Sequence, residues 1–286
     1  MADQQPTLPS NTIPRRPGLF IRFAGAVGDR AVSFLDHVGS MVSLFLQATG
    51  FISRAAFAHK GRVGWQAVVA QIIRVGVRSI AIVSLVSGCI GFILAFQLAP
   101  PLDEFGQKDL VANIVSIAVL RELGPLIAAV VMTGFAGASI AAEIGTMVVS
   151  EEVEALESMA LNPVRFLVVP RVFATILSLT VLAVISDIVA IASACGVSIL
   201  VLDIPFATYR QNTLDQAKVV DFLTGVGKGA VFGMLVGVIA CANGLRVSGG
   251  AAGVGRATTG TVVQSVVSVV VADLIFTAIF YGLKLF

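Results

Sequence analysis

The sequence predicts an all-α integral membrane protein, in which an N-terminal interfacial amphipathic helix precedes five transmembrane helices. Of its 286 residues, 57% are hydrophobic and 13% are charged, and the mean hydropathy is +0.95. Soluble domains carry about 25% charged residues, so this composition excludes an ordinary soluble domain. The net charge of +2 is too small to indicate a nucleic-acid partner.

The N-terminal part divides into two predicted regions. Residues 1–18 contain four prolines among polar neighbours and cannot bury enough apolar surface to fold alone, which predicts a flexible cytoplasmic tail. Residues 19–64 contain apolar side chains at helical spacing, including Phe34, Val38 and Phe45, with Asp36 and Ser40 between them. This pattern predicts an interfacial amphipathic helix. The alternative is an extra span over residues 38–52, but this apolar run is short for a bilayer.

Five longer apolar segments follow within residues 65–286, and they predict spans over about residues 79–98, 110–142, 172–202, 222–245 and 261–283. A small-residue loop is expected over residues 247–260. Nine of the nineteen Lys and Arg residues lie at or before Arg78. This bias predicts a cytoplasmic N-terminus, and an odd number of spans then places the C-terminus outside.

An acidic stretch lies between the second and third spans, over residues 141–171. Five of the seventeen acidic residues of the chain lie there: Glu143, Glu151, Glu152, Glu154 and Glu157. Ser150 is the expected N-cap of a helix over residues 151–161, and Asn162 before Pro163 is the expected stop. Glutamates lie on one face of this helix, with Val153 and Leu156 opposite. The stretch is either a docking surface for a basic partner or a solvated charged face.

The fourth span carries glycines at a strict four-residue interval, namely Gly225, Gly229, Gly233 and Gly237. This spacing places them on one helix face, where the missing side chains let another helix approach closely.

Five ionisable residues fall inside predicted spans, where an unpaired charge is costly. Arg121 and Glu122 are adjacent and point in different directions, so each is expected to find a partner on another segment. Lys228 and Asp273 lie at comparable depths in neighbouring antiparallel helices, which predicts a structural ion pair. Asp187 has no evident partner, and a hydrogen bond to another helix is expected for it.

Motifs for catalysis or cofactor binding are missing from the sequence. It contains no G-x-x-x-x-G-K-[ST] sequence, so the chain is not expected to bind ATP in this way. Its two histidines and three dispersed cysteines predict no metal site and no disulfide framework. We therefore expect a transport subunit that is not an enzyme and carries no cofactor of its own.

Two segments carry a resemblance to a known family. They read RELGPLIAAVVMTGFAGASIAAEIGTMVVSEEVEALESMALNPVRFLVVPR over residues 121–171 and RATTGTVVQSVVSVVVADLIFT over residues 256–277. These segments are similar to the MlaE/YrbE-type permease family, the membrane subunits of MCE-associated lipid ABC transporters. The likeness extends from about Trp65 to the C-terminus.

The resemblance implies a phospholipid or related lipid as substrate and a homodimeric permease in the bacterial inner membrane. It also implies three partners: a cytoplasmic ABC ATPase that holds ATP and Mg, an MCE-domain substrate-binding protein and a small cytoplasmic STAS-type subunit. The five glutamates of the acidic stretch, with Asn162 and Pro163, become ATPase-coupling candidates. Arg121 and Glu122 become candidates for lining or bracing the lipid path.

The chain departs from the family pattern at two positions. Phe135 stands where the family has arginine, so no role of that arginine can be transferred, and Asn162 replaces an aspartate before proline. Two other functions stay open at this point. In an ion- or proton-coupled transporter, Asp187, Glu122 and Asp273 would be coupling sites. A membrane scaffold would use only the glycine face.

Overall fold

The computed structural model describes residues 65–283, together with Gly39, Ser43, Leu46 and Gly50, which are helical. The predicted tail and, apart from these four residues, the predicted interfacial region lie outside the described residues. From residue 65 to residue 283 the chain is helical between short connections, and no strand occurs among these residues.

Five helices are long and apolar enough to cross a membrane, as the sequence predicts. We number them in chain order: span one is Trp65–Glu104, span two Lys108–Val149, span three Val164–Leu200, span four Val219–Leu245 and span five Gly250–Gly282. Two shorter helices connect them, the acidic helix Glu152–Ser158 and the connecting helix Phe206–Gln216. Span two has 42 residues and is about 60 Å long. It therefore exceeds the hydrocarbon core of about 30 Å.

Span three lies at the centre of the bundle and packs against spans one, two and four. Span four packs against spans two, three and five, and 67% of its most apolar window is buried, compared with 11% for span five. Span five therefore presents most of its apolar surface outward.

The spans contain four π turns, which widen the helix by one residue per turn: Ile72–Gly76, Val119–Leu123, Thr133–Gly137 and Val164–Val168. Such turns frequently occur at functional sites. These π turns were not predicted from the sequence, because a π turn inside an apolar run leaves the average hydropathy unchanged.

Span five begins earlier than predicted. The expected loop over residues 247–260 is wrong, because the helix already starts at Gly250 and the connection shortens to residues 246–249. The small residues of this segment were interpreted as a loop, yet inside a bundle they pack as a helix that satisfies its own backbone groups. The turn is made by Gly249 and Gly250, both with positive φ.

The bundle has two ends with different connections. The end formed by the start of span one, the acidic helix and residues 246–249 is called the acidic-helix end. The opposite end carries residues 105–107 and the connecting helix, which is anchored there by the buried Tyr209.

Candidate functional site

The acidic helix is the most exposed helical element between two spans. It contains no buried residue, and its glutamates are exposed, while Val153 and Leu156 are half-buried. The two faces predicted for this helix are therefore distinguishable in the structure. At the exposed face, carboxylates are available to a basic surface.

The boundaries of the acidic helix differ from the prediction. Ser150 is not its N-cap, because the Ser150 hydroxyl lies 3.0 Å from the Thr146 carbonyl oxygen of span two and 3.0 Å from the Glu152 carboxylate. The chain instead turns at Glu151, which has a φ of 61°. The helix ends at Ser158, before the predicted residue 161, and Ala160 has a φ of 58°.

Asn162 and Pro163 start span three. The Asn162 side-chain oxygen accepts hydrogen bonds from the backbone N–H groups of Val164, at 3.0 Å, and Arg165, at 3.4 Å. This is the role of an N-cap, which satisfies backbone donors that have no partner within the helix. Asn162 thus fixes the residue at which the chain leaves the acidic helix and enters span three.

Glu143 lies apart from the other four glutamates and joins three spans. Its Oε1 accepts a hydrogen bond of 2.8 Å from Nη2 of Arg171 on span three. Its Oε2 lies 2.9 Å from Nη1 of Arg74 on span one, an ion pair without hydrogen-bond alignment. The Arg171 side chain is 7% exposed and that of Arg74 is 47% exposed. We call these three residues the arginine clamp.

Arg121 and Glu122 lie in the π turn Val119–Leu123 and point to different partners. Nε of Arg121 donates a hydrogen bond of 2.8 Å to Oδ1 of Asp221, a buried residue in the first turn of span four. Glu122 Oε2 lies 2.5 Å from Nζ of Lys228. Adjacent charges on span two are therefore both held by span four.

The structure also brings Lys228 and Asp273 together, at 2.9 Å between Nζ and Oδ1. Nζ donates a further hydrogen bond of 3.1 Å to the hydroxyl of Thr277, which lies 2.9 Å from Glu122 Oε1. The Lys228 side chain is fully buried. Lys228, Glu122, Asp273 and Thr277 form what we call the lysine cluster, which connects spans two, four and five.

Asp187 is buried in span three, and the predicted hydrogen bond to another helix is wrong. Neither of its carboxyl oxygens has a hydrogen-bond partner among the described residues. Its Oδ1 occupies the space where a side chain on Gly124 of span two would lie. The neighbouring Ser186 makes the contact that was expected of Asp187, at 2.7 Å from the Ser87 hydroxyl of span one.

The glycine row of span four faces spans two and three. A Cβ atom on Gly225 would collide with the Leu120 carbonyl oxygen, and one on Gly237 would collide with the Thr175 hydroxyl. At Gly233 it would approach the Thr175 carbonyl oxygen to 2.7 Å, and at Gly229 the Ala183 Cβ to 3.1 Å. Each glycine thus permits a helix approach that alanine would obstruct.

Phe135 leaves no polar group at the position of the family arginine. Phe135 is 41% exposed and lies in the π turn Thr133–Gly137. In the part of the chain that the structure describes, no group of His, Cys, Asp or Glu could hold a metal ion.

Four members of these networks were not predicted from the sequence: Arg74, Arg171, Asp221 and Thr277. Thr277 lies one helical turn after Asp273, and Asp221 lies two turns before Lys228, so helical spacing could have identified both. Arg171 and Arg74 contact Glu143 across 28 and 69 residues of chain, and no local pattern indicates such contacts.

The model of the family Permease MlaE matches residues 68–279. A protein described as a "probable ABC transporter permease protein" from Rickettsia felis is 32% identical, over 92% of this chain and 99% of that protein. A protein of the same description from Synechocystis is 33% identical, over 80% and 88% of the two chains. The chloroplastic protein Trigalactosyldiacylglycerol 1 of Arabidopsis thaliana is 32% identical, over 78% of this chain and 63% of its own length.

Proposed function

This chain belongs to the MlaE permease family, and we propose that it moves phospholipid or a related lipid, driven by a separate ATPase that docks on the acidic helix. As a permease subunit it provides the membrane passage. ATP and Mg bind to the ATPase partner.

The exposed acidic helix carries this proposal. In a family of ABC transporter permeases, an element that projects between two spans and contains no buried residue is suited to contact a partner. Its outer face holds Glu151, Glu154 and Glu157. Opposite charges across such a contact provide specificity and fast association more than raw affinity, so we expect a basic groove on the ATPase.

The arginine clamp transmits the motion of the acidic helix to the bundle. Glu143 lies near the end of span two and Arg171 near the start of span three. Their hydrogen bond therefore joins the two ends of the segment that carries the acidic helix. When nucleotide-bound ATPases close, the acidic helix moves, and spans two and three move with it as one body. Glu143 therefore acts inside the permease, while the other four glutamates contact the partner.

The lipid path runs along the apolar helices, with Arg121 and Glu122 bracing its polar part. Both side chains are held by partners on span four, which fixes their position in the bundle. Two copies of the chain form a homodimer around the lipid cavity. The low burial of span five supports this arrangement, because its apolar face is available to lipid or to a second copy.

The substrate class is supported by one relative. The Arabidopsis thaliana protein is named for trigalactosyldiacylglycerol, a lipid with two acyl chains and a sugar headgroup. A path that accommodates two acyl chains would serve phospholipids as well.

We propose the remaining parts of the assembly from the resemblance to this family. An MCE-domain protein delivers or receives the lipid at the opposite end, and a small STAS-type subunit binds on the cytoplasmic side. The chain lies in the bacterial inner membrane with its N-terminus in the cytoplasm and its C-terminus in the periplasm.

The test is purification of the chain from its native membrane, followed by identification of bound ATPase. We expect an ABC ATPase to co-purify with the wild-type chain and to be lost when Glu151, Glu154 and Glu157 are changed to lysine. The matched control reverses three exposed carboxylates at the opposite end, Asp103, Glu104 and Asp215. This control should retain the ATPase, and an ATPase that stays bound to both variants would refute the docking site.

A further inference from the structure

The carboxyl group of Asp187 is not part of the proposed lipid path, and it is buried between two spans. Asp187 is 2% exposed, at the contact between spans two and three. Neither oxygen has a hydrogen-bond partner in the described residues. An ionised carboxylate needs several donors or a cation when it is buried.

The charged groups of the surrounding spans are engaged elsewhere. On span two, Arg121 is hydrogen-bonded to Asp221 and Glu122 to Lys228. On span four, Lys228 also holds Asp273. On span one, the side chain that reaches this level of span three is Ser87, and it contacts Ser186. Within residues 65–283, no ion pair reaches Asp187.

Span two is built to accommodate the carboxyl group without offering it a charge. Gly124 follows the π turn Val119–Leu123, and its missing side chain provides the space that Asp187 Oδ1 fills. A Cβ atom at position 124 would displace the Asp187 carboxyl group from this space. The Val119 carbonyl oxygen lies 3.2 Å from the position that a Cβ atom on Gly124 would occupy, on the side of span two that faces Asp187. It is an acceptor, and only a protonated carboxyl group could donate a hydrogen to it.

We propose that Asp187 is a proton-binding site, and that it exists as a neutral carboxylic acid where spans two and three pack. At pH 7 an ordinary aspartate favours the ionised form about 1,000-fold. Full burial without a cation or a donor can offset a ratio of this size, because a buried acid in an apolar site neutralises rather than remain charged. The inference rests on the packing of one chain and is independent of the proposed lipid transport.

The experiment is infrared difference spectroscopy of the purified permease in lipid vesicles at pH 7, comparing the wild type with Asp187→Asn. We expect the wild type to show a carboxylic acid C=O band that Asp187→Asn lacks, with no loss of carboxylate absorption. The matched control is Asp215→Asn, in the exposed part of the connecting helix, which should remove carboxylate absorption only. Loss of carboxylate absorption in Asp187→Asn would overturn the proposal.

A second readout uses stability and a third avoids substitution. Because an amide resembles a neutral acid in size and charge, Asp187→Asn should unfold at the same temperature as the wild type in detergent, and a folded variant that unfolds at a clearly lower temperature contradicts the proposal. If Asp187→Asn does not fold, the wild type labelled with ¹³C at its aspartate carboxyl groups is measured instead. It should contain a protonated aspartate that persists in Asp273→Asn, and the absence of such a band would contradict the proposal.

Discussion

The arginine clamp and the lysine cluster each join three spans through carboxylates, but they differ in charge balance and in burial. The clamp has two arginines for one carboxylate, and its Arg74 side chain is 47% exposed. The lysine cluster has one fully buried ammonium group for two carboxylates. A half-exposed ion pair can break and reform at low cost, whereas a buried ion pair cannot. The acidic-helix end is therefore suited to movement, and the lysine cluster to holding three spans together.

The largest effect is expected from Lys228→Met, which removes the cation of the lysine cluster. Two carboxylates then remain in the bundle without a counter-charge, which should lower the free energy of unfolding by about 3–5 kcal/mol. Thermal unfolding of the purified protein in detergent measures this loss. Combining Lys228→Met with Glu122→Gln and Asp273→Asn should recover most of it, and a failure to recover would show that charge is not the cause.

Gly225→Ala tests whether the lysine cluster depends on close helix approach. The new Cβ would collide with the Leu120 carbonyl oxygen in the turn that carries Arg121 and Glu122. Overpacking of this kind costs about 1–3 kcal/mol. Gly227→Ala is the matched control, because nothing lies within 4 Å of its Cβ position. Gly227→Ala should be neutral or slightly stabilising. Equal losses of stability in both variants would argue against close helix packing at Gly225.

Glu143→Gln opens the arginine clamp and leaves the buried Arg171 without its carboxylate. Since the Glu143 side chain is 25% exposed, we expect a stability loss of about 1–2 kcal/mol, between the values for surface and buried pairs. The functional effect should be greater, with less lipid moved per ATP hydrolysed in reconstituted vesicles. The double variant Glu143→Arg with Arg171→Glu should restore part of the amount of lipid moved per ATP hydrolysed. An unchanged ratio in Glu143→Gln would contradict the clamp's role.

Arg74→Gln should have the smallest effect. The half-exposed arginine contributes less than about 0.5 kcal/mol, and the hydrogen bond between Arg171 and Glu143 remains intact. Thermal unfolding should therefore match that of the wild type. A loss as large as that of Glu143→Gln would show that span one is as important to the clamp as span three.

Much of the fold could be predicted from the sequence, because membrane spans follow from the length and composition of apolar runs. The glycine row was identifiable from its four-residue period, and the proximity of Lys228 and Asp273 from their depth in antiparallel helices. Span five was predicted to start too late, because small residues in a bundle and in a loop have the same composition.

The candidate site could be predicted only in part. The acidic helix was recognisable from its composition, but its ends depend on backbone turns at Glu151 and Ala160, both with positive φ. Residues of this type rarely adopt such φ values. The contacts of Glu143 with Arg171 and Arg74 are long-range, and the missing partner of Asp187 depends on how three spans pack. Those features are properties of tertiary structure.

We propose that an ATPase drives lipid movement through the acidic helix. The most direct measurement is ATP-dependent transfer of a labelled phospholipid in vesicles that contain the permease and its co-purified ATPase. We expect transfer by the wild type and by the control variant in which Asp103, Glu104 and Asp215 are changed to lysine. Transfer should be lost when Glu151, Glu154 and Glu157 are changed to lysine. Undiminished transfer by the latter variant, or transfer without the ATPase, would refute coupling through the acidic helix.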